Sequence, residues 1–121
     1  PYNHFLIRSM KEGRDEMVDI LLTQPGGTLL PEAFEGNTPL MEAVRLGRKD
    51  YADKILAAGA KIDEKNLAGS TAFMSACRTR NYDMAEWLLK RGANVNARDG
   101  SQKTALMYAV MDGNIATQNF F

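Results

Sequence analysis

GNTPLMEAVRLGRKDYADKILAAGA, Gly36–Ala60, is nearly restated 33 residues later as GSTAFMSACRTRNYDMAEWLLKRGA, Gly69–Ala93. The spacing holds column by column: Thr38, Thr71 and Thr104; Met41, Met74 and Met107; Ala43, Ala76 and Ala109; Gly59 and Gly92. Four matched columns at one period are not coincidence. They mark one supersecondary unit that cannot bury its apolar side alone and so stacks on its own copies.

The local signals inside a unit agree with one another. Thr38 followed by Pro39 reads as an N-cap with proline at the first helical position, where its missing N–H costs nothing. Leu40, Met41, Ala43 and Val44 give a short helix with one apolar side, ended at Gly47. A second helix opens near Asp50 and carries Tyr51, Ala52, Ile55 and Leu56 at helical spacing, and Gly59 stops it. The polar stretch AKIDEKNLAG, residues 60–69, then reads as an extended loop or hairpin leading to Thr71.

This unit resembles the ankyrin repeat, with its period of 33, a T-P-L-H-x-A helix start, a glycine between two helices, and L-L-x-x-G-A before a hairpin. The residues that carry the resemblance are TPLMEA at Thr38, TAFMSA at Thr71, TALMYA at Thr104, ILAAGAKID from Ile55 and LLKRGANVNA from Leu88. Residues 33–65 and 66–98 form two complete units in this reading. Residues 99–121 form an incomplete C-terminal one, and 1–32 a divergent N-terminal one in which Gly13 sits 34 residues before Gly47. The fold the resemblance implies is a single all-α repeat solenoid over 1–121, stacked helix-turn-helix units joined by short β-hairpin loops.

Three departures from the family pattern carry expectations. Met41, Met74 and Met107 stand where the family has His, so packing must replace that residue's hydrogen bonds. Arg80 stands where Gly47 and Gly113 stand in their units, so a non-glycine residue is expected in or beside a left-handed conformation. The chain finishes in NFF, and Phe120 and Phe121 raise self-association through the C-terminal edge, a truncated array or a continuation.

Composition narrows the function classes. Fifteen basic and fifteen acidic residues cancel, so the electrostatic footprint of a general nucleic-acid binder is missing, although residues 1–77 carry net −2 and residues 78–121 net +2. Apolar runs are too short to span a membrane. Cys77 is the lone cysteine, which fits a reducing compartment; the cytoplasm is expected, with an exported or periplasmic protein left open. Cys77 lies in a helix that packs between units and reads as a small buried side chain rather than a nucleophile. His4 is the only histidine, so zinc sites of the Cys and His type are excluded. Asp15, Glu16, Asp50 and Asp83 read as helix openers that complement the dipole rather than as acid–base pairs. Glycines fall at repeat spacing, not in a phosphate loop. The methionines read as flexible core filler, Trp87 as packed or partly exposed on the outer helix. No catalytic residue, metal or cofactor is expected.

What the resemblance implies instead is a protein-binding surface on the loop tips and inner helices. Its tip positions in this chain are Phe34, Glu35, Asn37, Lys65, Leu67, Ser70, Arg98, Ser101 and Lys103. The ends of the inner helices add Arg45, Leu46, Arg78, Thr79, Met111 and Asp112, and Glu42, Ser75 and Tyr108 form one further column. Arg45 and Arg78 recur at one place in consecutive units and, with Lys65, Arg98 and Lys103, are expected to form a basic stripe for an acidic segment of a partner. Phe34, Leu67 or Tyr108 would anchor it. The expected function is therefore a protein–protein interaction module: a scaffold, an adaptor, or an inhibitor or self-protection protein that blocks an enzyme. The alternative is a substrate-targeting fragment of a larger enzyme whose catalytic domain lies outside this chain.

Overall fold

Threonine begins three of the helices in the same way. In a computed structural model that describes residues 2–23 and 37–113, with the side chains of residues 2–4 and of Asp112 outside that description, Thr38, Thr71 and Thr104 are each extended at the N-cap. Their hydroxyls accept the N–H of Met41, Met74 and Met107 at 3.2, 3.3 and 3.3 Å. Each bond satisfies a donor that the first turn would otherwise leave orphaned. The helices that follow are α3 (Pro39–Leu46), α5 (Ala72–Arg78) and α7 (Ala105–Asp112).

Each capped helix but the last is followed by a described antiparallel companion: α4 (Lys49–Ala57) after α3 and α6 (Tyr82–Lys90) after α5. The same rhythm precedes them in α1 (Tyr2–Lys11) and α2 (Asp15–Thr23), turned at Gly13 with φ 71°. Acidic residues open α2, α4 and α6 where the dipole favours them, namely Asp15 with Glu16, Asp50, and Asp83. Helix pairs α1/α2, α3/α4 and α5/α6 stack so that α1, α3, α5 and α7 form one row, while α2 packs on α4 behind it.

The stacking row is buried because its repeat columns are small or apolar. Ala43 and Ala76 are fully buried, as are Val44, Tyr51, Ile55, Phe73, Met84 and Leu88 within a few per cent. Burying the larger of these side chains contributes about 1.5–3 kcal/mol each. Met41 and Met74 pack into the core in place of the family's histidine, as expected, whereas Met107 is 42% exposed on α7. Met17 and Met111 are also exposed, so core filler describes only part of the methionine set. Cys77 is buried, and that burial pushes its thiol up to about 12, which suits packing rather than nucleophilic chemistry.

Adjacent pairs are also joined by polar contacts. The Tyr51 ring is fully buried and its hydroxyl donates to Asp15 Oδ1, while Arg48 bridges Asp15 and Asp50 at 3.2 and 2.8 Å and stacks 4.0 Å over the Tyr51 ring. The Tyr51 hydroxyl, helped by Arg48, holds the Asp15 carboxyl below the usual carboxylate range. Asn81 caps α6 and also donates to the Val44 carbonyl at 3.1 Å, tying α6 to α3.

Two expectations about the connections resolve differently. Arg80 does take the left-handed conformation, φ 61°, in the column where Gly47 has φ 71° and Gly113 φ 66°. Gln102 at φ 62° is a second such residue, in the column of Gly69. The expected β-hairpins are tight turns with no strand among the described residues. Residues 66–70 and 99–103 are each closed by two backbone bonds, Asn66 N–H to Ser70 O with Gly69 N–H to Asn66 O, and Asp99 N–H to Lys103 O with Gln102 N–H to Asp99 O, all 2.9 Å. Phe120, Phe121 and the second helix expected after α7 lie outside the described residues.

Candidate functional site

The turns owe their shape to one matched column that sequence reasoning passed over. Asn66 Oδ1 accepts the N–H groups of Ala68 and Ser70 at 3.0 and 2.9 Å, and Asp99 Oδ1 accepts those of Ser101 and Lys103 at 2.8 and 3.0 Å. These side chains mimic a backbone turn and fold the loop onto the inner helix. The signal was present, since residues 66 and 99 are 33 apart and both are of the Asn/Asp type that prefers such turns. The two turns also touch each other: Gly100 N–H donates to the Ala68 carbonyl at 2.8 Å. A Cβ on Gly69 would fall 2.5 Å from the Gly100 nitrogen, so glycine is required at this contact.

Beneath the turns runs a polar relay. Asn66 Nδ2 donates to Asn37 Oδ1 at 3.1 Å, Asn37 Nδ2 donates to Glu42 Oε1 at 3.3 Å, and Arg45 Nη2 donates to Glu42 Oε2 at 2.7 Å. Glu42 was expected on the open surface; it is 0% exposed. Its carboxylate is drawn inward because two amide or guanidinium donors satisfy it there. Ser70 is likewise buried, under the turn that Asn66 closes. Glu42 therefore supports the surface from behind, while Ser70 sits at its inner edge.

In the next unit the same columns are filled differently. Ser75 replaces Glu42, and Tyr108 follows in the unit after. The Tyr108 hydroxyl donates to Asp99 Oδ2, which with the Lys103 and Ser101 N–H groups holds the Asp99 carboxyl below its usual range and pushes the Tyr108 hydroxyl up. On the Tyr108 ring lie two cations, Arg78 with its guanidinium carbon at 4.7 Å and Lys103 with Nζ at 5.7 Å from the centroid. An open cavity of about 400 Å³ lies between α3, α5 and the turn at residues 66–70, and Asn37, Ser70, Ser75, Arg78 and Thr79 line it together with Met41, Asn66 and Ala68.

The expected basic stripe is thus uneven. Arg45 is matched by Glu42, Lys65 Nζ donates to the Arg98 carbonyl at 2.8 Å, and Arg98 reaches the Gln102 carbonyl at 3.5 Å. Arg78 and Lys103 both lie against the Tyr108 ring. Leu67, at 74% exposure, stands out on the turn, with Leu46 and Met111 also exposed. Ser101 is exposed beside Asp99. Phe34 and Glu35 lie outside the described residues, as does the side chain of Asp112. Among the described residues no group of His, Cys, Asp and Glu side chains could hold a metal ion, and no helix is long and apolar enough to cross a membrane.

Comparison with known families gives two matches. The family model described as ankyrin repeats in three copies matches residues 54–120, and that of the single ankyrin repeat matches residues 35–67. No curated protein matches the chain.

Proposed function

Since the chain belongs to the ankyrin-repeat family, whose members are generally protein–protein interaction modules, we propose that it holds a partner protein on the surface formed by its turns and inner helices. The observation that carries this reading is the open cavity between α3, α5 and the turn at residues 66–70, edged by Arg78, with Leu67 exposed on that same turn. The surrounding scaffold is rigid in the sense recognition needs, because Asn66, Asn37, Glu42 and Asp99 hold the turns to the helices beneath. A preorganised surface loses little ordering entropy on binding, so shape and charge complementarity are retained as affinity. An acidic segment suits the site, with Leu67 and the Tyr108 face as apolar anchors. The protein would then act by recruiting or blocking its partner, with no bond made or broken.

The test is affinity capture from lysate of the source cells, comparing wild type with a Leu67→Asp, Arg78→Glu double variant. Both substituted residues are exposed, so the variant should keep its circular dichroism spectrum and melting curve. A protein retained by wild type and lost from the folded variant supports the surface. Identical captures overturn it. Arg45→Glu is unsuitable for this purpose, because it would set a second carboxylate against buried Glu42.

A further inference from the structure

The two arginines that the repeat places in one column are chemically unlike. Arg45 is spent: its guanidinium sits 2.7 Å from a fully buried carboxylate that arose within its own helix, three residues earlier. The residue three before Arg78 is Ser75, so the second unit supplies no such partner. Among the described residues Arg78 forms no ion pair, and its guanidinium rests on the Tyr108 ring. A guanidinium over an aromatic face is held in place yet keeps its in-plane N–H groups available.

The groups around it decide what could fill those N–H positions. The Asn37 and Asn66 amides each donate and accept within the relay and the turn. The Thr79 hydroxyl donates to the Ser75 carbonyl at 2.9 Å. The Ser75 hydroxyl has no partner among the described residues and lines the same cavity. The charged group the cavity offers a ligand is therefore the Arg78 guanidinium, which only donates, with the Ser75 hydroxyl able to donate next to it; Lys103 lies on the ring of Tyr108 outside the cavity lining. A ligand group that meets Arg78 has to be an acceptor. The net charge of Arg78, Lys103 and Asp99 taken together is a single positive charge, which matches a monoanion better than a phosphate dianion.

We propose that Arg78, positioned by Tyr108 and assisted by Ser75, is a carboxylate-recognition point that takes one Asp or Glu side chain of a bound protein segment, and that Arg45 is not. This rests on the protein-binding reading above and deepens it. Tyr108 is a positioning residue here: Asp99 orients its hydroxyl, and its ring sets where the guanidinium lies.

The test titrates the ¹⁵N-labelled full chain with acetyl-Gly-Glu-Gly-amide, its Gln counterpart and its phosphoserine counterpart, following the Arg78 side-chain N–H and the Ser75 and Thr79 amides. The Glu probe should shift them saturably and bind about tenfold more tightly than the Gln probe, since only the former makes charge-assisted bonds. Arg78→Gln should abolish that preference and Arg78→Lys should reduce it, while Arg45→Gln leaves it unchanged. Equal binding of Glu and Gln probes, tighter binding of the phosphoserine probe, no saturable shift, or equal losses in the two Gln variants would each overturn the assignment. The broader reading fails separately. A partner captured equally by wild type and Arg78→Gln would leave protein binding in place without this contact, whereas probe binding with no partner captured would do the reverse.

Discussion

At the scale of the residue, the left-handed turn after α5 shows a sequence cost that the chain carries openly. Arg80 holds φ 61° where Gly47 and Gly113 occupy the same column. A non-glycine residue there costs about 1–2 kcal/mol, and glycine gives back about 0.5–1 kcal/mol of that in unfolded-state entropy. Arg80→Gly should therefore raise stability by up to about 1 kcal/mol in urea denaturation; a loss would mean that exposed Arg80 makes a contact the geometry does not provide. Glu42 poses the opposite problem. Its buried carboxylate depends on Arg45 and Asn37, so Arg45→Ala should destabilise by about 1–3 kcal/mol, while Glu42→Leu, which removes the carboxylate itself, should cost less than Arg45→Ala. Equal losses in urea denaturation would show that the pair contributes through packing alone.

At the scale of the element, caps and turns do the selecting. Thr71→Ala removes the hydroxyl that accepts the Met74 N–H and should cost about 1 kcal/mol, read as a lower urea midpoint with unchanged slope. The turns are more exacting, because two of them touch. Gly69→Ala puts a Cβ 2.5 Å from the Gly100 nitrogen, so the bond from Gly100 N–H to the Ala68 carbonyl must open. Hydrogen exchange should show the Gly100 amide losing protection while amides in α5 keep theirs. The repeated threonines announce the helix starts in the sequence. The turn contact does not announce itself, because it depends on two loops from different units meeting in space.

At the scale of the whole molecule, stability comes from the stacked row and is trimmed by the contacts that join the pairs. Ala76→Asp would bury an unpaired charge between α5 and its neighbours, at about 3–5 kcal/mol, and should collapse the thermal transition. The exposed bridges Lys54 to Asp19 and Arg91 to Asp53, each 2.7 Å, should matter little and be lost in salt. Acid tests the link between α2 and α4. Asp15 has its folded-state pKa below its unfolded value, so the unfolded chain binds protons first as pH falls; the stability is present above the ordinary carboxylate range and is lost through the folded value below it. Tyr51→Phe, which removes the hydroxyl that contributes most to that shift, should be less stable than wild type near neutral pH. The difference should narrow below about pH 4. A difference independent of pH would assign the loss to packing of the ring.

The period of 33, the capping threonines, the apolar helix stripes and the helix-opening acids by themselves determined the helix pairs and their stacking, because each is a local preference or a repeat that reads along the chain. A left-handed turn at or beside Arg80 followed from its column, and the structure puts it at Arg80 itself. Tertiary structure decided which of the expected surface residues face solvent. Glu42 and Arg45 look like Ser75 and Arg78 in register, yet the first pair neutralises itself over a buried Glu42 while the second leaves a guanidinium on Tyr108. Nothing in the repeat spacing distinguishes them. The difference is made by side chains from three successive units converging on one groove, and by the rule that a buried charge must find its partner wherever the fold puts one.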